Sequence, residues 1–376
     1  MPAIRVRPVN VRPVNRLLMA VALVAAALNG IAPQPRAAAL APLTIDTSAS
    51  AMGMAESNLY FMNATDLATA MQNFTAMGVK QIRVFLPWRA MEPQKGRYNW
   101  VDADRILDAA AAQGLAVVGA VTSTPTWASR AYGFWLPNAA PDDPNDYARF
   151  MTQVAQRYGS RSSAPRIAAY EIWNEPNGNT GWSPQPNVAG YTALLKAAYT
   201  AVKQVEPSAP VIGGVLGAGL TFGTWTINPV NYLTQMYSAG AQGYFDALSF
   251  HPYNFSSSFS AGAPYANTPY QQLKSLRALM NAAGDTTKLI WTTEYGVPTS
   301  AVNAQTQAAW ITDFATTWST LPGVGPMFIY CLVDRPNETP WGVFNQAWTA
   351  KPAATAIANW IAAHPVGGAV ISKTSG

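Results

Sequence analysis

Two glutamates sit at the ends of strongly apolar runs: Glu175 in Ile-Ala-Ala-Tyr-Glu-Ile-Trp-Asn-Glu-Pro-Asn and Glu294 in Leu-Ile-Trp-Thr-Thr-Glu-Tyr-Gly. Runs of this kind read as strands buried on both faces, so each carboxyl is expected where a strand ends. Two carboxyls delivered to one rim can break a glycosidic bond. One protonates the departing oxygen while the other attacks or stabilises the sugar cation. Most glutamates are solvated surface charges, and only the apolar context sets these two apart.

The elements that must position them recur along the chain. Apolar strand-like runs span Ala51–Met54, Ile82–Trp88, Leu115–Val121, Ile167–Trp173, Val211–Val215, Ala247–His251, Leu289–Thr293 and Met327–Leu332. Helix-like segments alternate with them: Asp66–Met77, Val101–Gln113, Asp146–Tyr158, Val188–Val205, Val230–Ala239, Tyr270–Ala283, Ala304–Trp318 and Pro352–Ala363. This alternation predicts an α/β fold, a (β/α)₈ TIM barrel over residues 40–365 as a single domain. Chemistry on such a barrel belongs at the C-terminal ends of its strands. Residues 366–376 read as a flexible tail.

Residues 1–39 have the order of a secretory signal peptide: Arg5, Arg7, Arg12 and Arg16, an apolar stretch from Leu17, then Ala37, Ala38 and Ala39. The stretch is short for a membrane span and contains Asn29, so stable membrane insertion is not expected after leader cleavage. The five arginines of the leader account for the whole formal net charge of +5. The remainder is balanced, which removes the case for nucleic acid and suits a neutral or weakly charged polysaccharide or oligosaccharide. The single cysteine, Cys331, excludes an internal disulfide and falls in an apolar run as a core thiol. With two histidines, no His-Glu-x-x-His, no phosphate loop and no Gly-x-Ser-x-Gly elbow, neither a metal nor a nucleotide cofactor is expected. The protein is expected to act outside the cell or in the cell envelope, as a monomer.

In a closed eight-stranded barrel the fourth and seventh strands face each other across the mouth. That arrangement allows the ~5–5.5 Å carboxyl separation of a retaining glycosidase. Trp-Asn-Glu-Pro-Asn after strand four, with a second Glu after strand seven, resembles clan A of the glycoside hydrolases. Ile-Arg-Val-Phe-Leu-Pro-Trp and Thr-Pro-Thr-Trp-Ala-Ser look most similar to family 39 and its exopolysaccharide-hydrolase relatives, with family 5 cellulases next. The resemblance covers roughly residues 50–350.

This resemblance implies double displacement, with Glu175 as general acid/base, Glu294 as nucleophile and Asn174 on the sugar 2-OH. It also implies that Tyr253 or His251, in Ser-Phe-His-Pro-Tyr, orients Glu294. Thr122, Ser123 and Thr124 stand where many members have a histidine, and Tyr330 with Cys331 where many have a tryptophan. Physical logic adds that Arg83, alone in an apolar run, can keep Glu294 ionised, and that Glu171 pairs with a barrel cation. Glu175 has to enter the reaction protonated, for which Trp173 and Trp182 are candidate apolar walls. Trp127, Trp135, Trp182, Trp225, Trp341 and Tyr330 lie on expected rim loops as sugar platforms. The resulting expectation is a secreted retaining glycoside hydrolase cutting a polysaccharide internally. A transglycosylase using the same intermediate and a non-catalytic carbohydrate-binding barrel are the alternatives.

Overall fold

The computed structural model describes residues 43–131, 138–164 and 166–365. The leader, the tail and Trp135 lie outside the described residues. Strands β1 (Met52–Glu56), β2 (Gln81–Pro87), β3 (Ala116–Thr122), β4 (Ala169–Ile172), β5 (Val211–Gly217), β6 (Ala247–His251), β7 (Ile290–Tyr295) and β8 (Val324–Tyr330) form a closed barrel in sequence order. All neighbours pair in parallel, and β8 closes on β1 with Met52 opposite Met327.

The helices are α1 (Ala64–Ala76), the short α2 (Trp88–Met91), α3 (Val101–Ala112), α4 (Pro144–Tyr158), α5 (Val188–Val205), α6 (Pro229–Ser238), α7 (Pro269–Ala282), α8 (Ala304–Ser319) and α9 (Pro352–Ala363). Side-chain caps start most of them. Asn63, Asp143, Asn187, Asn228, Thr268 and Asn303 each accept from a backbone N–H of the first turn.

The core has two parts. Outside the barrel wall, the helices cover a large apolar layer. Inside, Ala55, Val118, Ala169, Ile212, Ala247, Trp291 and Phe328 fill the lower barrel, three alanines and two branched aliphatics around two large rings. Gly53 makes room for one of them, since a Cβ there would lie 2.7 Å from the Phe328 ring. Above this plug the interior turns ionic, and the functional site begins there.

Several strand ends differ from the sequence expectation, four of them for physical reasons. β8 starts at Val324 because Pro326, a poor strand residue, is accommodated within it. β1 and β7 extend through Glu56 and Glu294, because both carboxylates are buried with partners inside the fold. Trp88 leaves the strand to open α2 and is fully buried.

Candidate active site

The chain leaves β4 at Ile172 and turns sharply. Trp173 and Glu175 both adopt left-handed backbone angles, φ 72° and 44°. For non-glycine residues this costs about 1–3 kcal/mol each and persists only where surrounding contacts impose it. Those contacts are present. Trp173 N–H donates to Val121 O, the Trp173 indole donates to Gly181 O, and Glu175 N–H donates to Val215 O. Val215, at φ 50°, sits in an irregular stretch of β5 where the register to β6 shifts. The turn also requires glycine at 181, where a Cβ would lie 2.0 Å from Glu175 O. The strain thus aims one side chain, Glu175, into the barrel mouth.

Glu294 approaches from β7 and is 7% exposed. Arg83 on β2, itself buried, donates from Nη1 to Glu294 Oε1 at 2.5 Å and from Nε to Glu171 Oε1 at 2.7 Å. Its Nη2 donates to Asn174 Oδ1 at 2.8 Å and also reaches Glu171. Holding Asn174 by its oxygen leaves the amide NH₂ as the group available to a ligand. Tyr253 donates its hydroxyl to Glu294 Oε2 at 2.8 Å. Burial pushes the Glu294 carboxyl up, yet the Arg83 guanidinium, His251 and the hydrogen bonds from Tyr253 and Arg83 outweigh it and hold it below the usual range. Burial, followed by the Glu294 charge, pushes the Tyr253 hydroxyl well up, so it remains a donor.

His251, fully buried at the end of β6, stands between the two acids. Its Nδ1 is 2.9 Å from Glu175 Oε1 and 3.9 Å from Glu294 Oε2. Its Nε2 is 2.9 Å from Thr293 Oγ1, which is 2.7 Å from Ser249 Oγ. Oxygens of Glu175 and Glu294 lie within 4.8 Å of one another. Glu175, His251 and Glu294 could in principle offer a cation three ligand atoms. The Arg83 guanidinium on Glu294 already supplies positive charge there, so these donors are better suited to work as paired acids.

Glu175, Glu294, Asn174, Arg83, His251 and Tyr253 therefore converge at one mouth. Trp341 and Tyr330 reach it through Tyr253: the Trp341 ring lies 5.3 Å from Tyr253 and 5.8 Å from Tyr330, edge-on. Trp127 is half-buried, with its indole donating to Glu92 O and Lys95 over its ring. Trp182 is placed differently from the rim expectation. It is 3% exposed and packs edge-on against Trp173 and Tyr191, so its ring belongs to the core and offers no face to a ligand.

The sequence reading missed Ser249 and Thr293, which no motif marks. It also missed Glu56, fully buried at the end of β1. Glu56 accepts from Asn58 N–H, Leu332 N–H and the Arg335 guanidinium, and so ties the loop after β8 to the barrel. Its signal was an acid closing the apolar run Met52–Glu56, the same pattern that marked Glu294.

The family model Cellulase (glycosyl hydrolase family 5) matches residues 45–320. Among solved structures, the chain is similar to a family 39 glycoside hydrolase from the gut symbiont Bacteroides cellulosilyticus WH2. That match has 20% identity, covers 84% of this chain and 64% of that one, and has a TM-score of 0.66. A monomeric beta-xylosidase from Caulobacter crescentus CB15 matches at 18% identity over 85% of this chain and 69% of that one, with a TM-score of 0.64. A GH5_18 protein from Bifidobacterium longum subsp. infantis matches at 16% identity over 85% and 79%, with a TM-score of 0.63. At these identities the likeness is one of fold, and the chain spans less than two thirds of the Bacteroides protein. A search of curated proteins finds no match.

Proposed function

The chain belongs to glycosyl hydrolase family 5, and from that premise we propose that it is a retaining glycosidase acting on a polysaccharide, with Glu175 as acid/base and Glu294 as nucleophile. The observation that carries this reading is the approach of the two carboxylates to within 4.8 Å. Inverting enzymes hold theirs ~6.5–9.5 Å apart to admit a water between them. The environments differ as the two roles demand. Glu294 is buried against Arg83 and kept ionised, whereas the Glu175 side chain is partly open and bonded to a histidine.

In the first step a Glu294 oxygen bonds to the anomeric carbon as the glycosidic C–O bond breaks, and Glu175 gives its proton to the leaving oxygen. In the second step water attacks the same carbon and yields its proton to Glu175, and the bond to Glu294 breaks. His251 can serve both states. Facing ionised Glu175 it donates from Nδ1 and accepts at Nε2 from Thr293. Facing protonated Glu175 the roles reverse, with the Thr293 and Ser249 hydroxyls turning to match.

The leader supports export to the extracellular space or the cell envelope. No helix among the described residues is long and apolar enough to cross a membrane. Aromatic side chains around the mouth support binding of an extended chain and hence internal cutting. Reducing-end release from a panel of polysaccharides, with the anomer of the first product followed by NMR, tests the reading. Retained configuration is expected; release of the inverted anomer, or no release from any polymer, overturns it.

A further inference from the structure

The general acid marks the side of the cleavage point on which the leaving group lies, so whatever is built onto its turn faces the departing part of the substrate. Here that is one arm, residues 218–228, between β5 and α6. Asn179 N–H donates to Trp225 O and Ile227 N–H to Asn177 O, while the Asn177 amide donates to Gly217 O and Ile227 O. Gln272 on α7 donates to Gly219 O and holds the arm from behind.

The arm is well tied down, yet it leaves large apolar side chains in solvent. Leu220 is 59% exposed, Phe222 71% and Trp225 59%. A loop fixed by this many backbone hydrogen bonds has no need of exposed rings for its own stability, and exposed apolar clusters beside a site mark binding. Leu220 also borders a cleft of about 470 Å³ at the N-terminal ends of α6 and α7, with Thr221, Asn231, Asn267, Gln271 and Ser275 among its walls. Apart from Leu220 and Val230, its lining consists of amides and hydroxyls. Within residues 217–231 and 252–275, which build this sector of the rim, the one residue that is Asp, Glu, Lys, Arg or His is Lys274, exposed on α7 beside Ser275.

We propose that this arm and cleft form the binding surface for the leaving-group side of the substrate, and that the sugars held there are uncharged. Sugar rings stack their C–H faces on Trp225 and Phe222, and hydroxyls meet the amides of the cleft. An anionic polymer would find one cation in this sector, Lys274, against a charge on every sugar. The proposal rests on the glycosidase reading for its polarity, but its test does not need turnover.

The full chain carrying Glu294→Gln, so that polymer stays intact, is run on native gels containing xylan, galactomannan, hydroxyethyl cellulose or polygalacturonate. At least one neutral gel is expected to retard it more than polygalacturonate does. Adding Trp225→Ala or Phe222→Ala is expected to weaken that retardation about tenfold, as loss of a stacked face implies, with Trp225→Phe restoring much of it. Melting temperatures within a few degrees of the parent's are expected and separate lost binding from lost folding, as suits exposed positions. Retardation unchanged by both alanines, strongest in polygalacturonate, or absent from every neutral gel overturns the proposal. Retention of the surface with no turnover by the unsubstituted protein would instead remove the glycosidase reading and leave the surface standing.

Discussion

His251 Nδ1 lies 2.9 Å from Glu175 Oε1, so the proposed acid is held by a ring able either to donate or to accept. The ring's other nitrogen faces Thr293, whose hydroxyl faces Ser249. Every member of this chain is within hydrogen-bond distance of the next, and all but Glu175 are buried. A chain of hydroxyls lets the histidine change tautomer without leaving a buried nitrogen unpaired.

Thr293→Val removes that freedom. The hydroxyl partner of Nε2 disappears, and an unsatisfied buried group costs about 1–3 kcal/mol of stability. kcat on natural substrates is expected to fall roughly tenfold with KM little changed, since transition-state protonation is affected more than binding. Thr293→Ser keeps the hydroxyl and is expected to restore most of the rate. Equal kcat for the valine and serine variants would dispose of the relay.

Glu175→Ala separates proton transfer from nucleophilic attack. Substrates with poor leaving groups need the acid, and those with activated aryl leaving groups need it little. The loss in kcat/KM is expected to be about 10²–10⁴-fold for natural glycosides and far smaller for activated ones. Losses of equal size on both substrate types would contradict the acid role. Glu294→Ala, by contrast, should abolish covalent labelling by a mechanism-based fluorosugar of the accepted type, and undiminished covalent label on the alanine variant would contradict the nucleophile role.

Arg83 governs the pH range over which Glu294 is ionised. Burial raises that carboxyl, and Arg83 is the largest influence lowering it. A carboxylate depressed in the folded state contributes stability above its unfolded value of about 4.3, and this contribution is lost as pH falls through the lower folded value. Arg83→Lys keeps a charge but cannot reach Glu171, Glu294 and Asn174 together. The acid limb of kcat/KM is expected to move to higher pH, and Glu294's share of the acid fall in denaturant midpoint, which begins near the unchanged unfolded value, should become smaller and end at a higher pH. An acid limb that stays in place would show that Arg83 does not set the ionisation of Glu294.

Much of this was legible in the chain because it is local. Apolar runs buried on both faces declared the strands, and the two glutamates declared themselves by ending such runs. Trp182 was not legible, because a tryptophan in a Gly-Trp-Ser-Pro loop reads the same whether its ring turns toward solvent or, as here, toward Trp173 and Tyr191. Glu56 and Arg335 pair across 279 positions, and Arg83 meets Glu294 across 211. Only barrel closure brings such partners together. The second pairing could be anticipated because Arg83 is a lone charge within a strand. Arg335 stands in a polar loop beside Asp334, where a solvated charge is the ordinary reading.

Gly217 gives the most local test of how Glu175 is aimed. It ends β5 with its Cα facing the acid, and a Cβ there would lie 3.1 Å from Glu175 Oε1 and 3.2 Å from Cδ. That is too close for comfort but not a clash with backbone, and the Glu175 side chain, 31% exposed, is free to give way. Gly217→Ala should therefore fold with less than about 1 kcal/mol change in stability, while turning the carboxyl away from His251. Displacement of a catalytic group by a fraction of an ångström to an ångström costs up to about 10²-fold in rate. The loss should follow the pattern of Glu175→Ala, heavy for natural glycosides and light for activated ones. A uniform loss across leaving groups would mean that Gly217 shapes the sugar site and not the position of the acid.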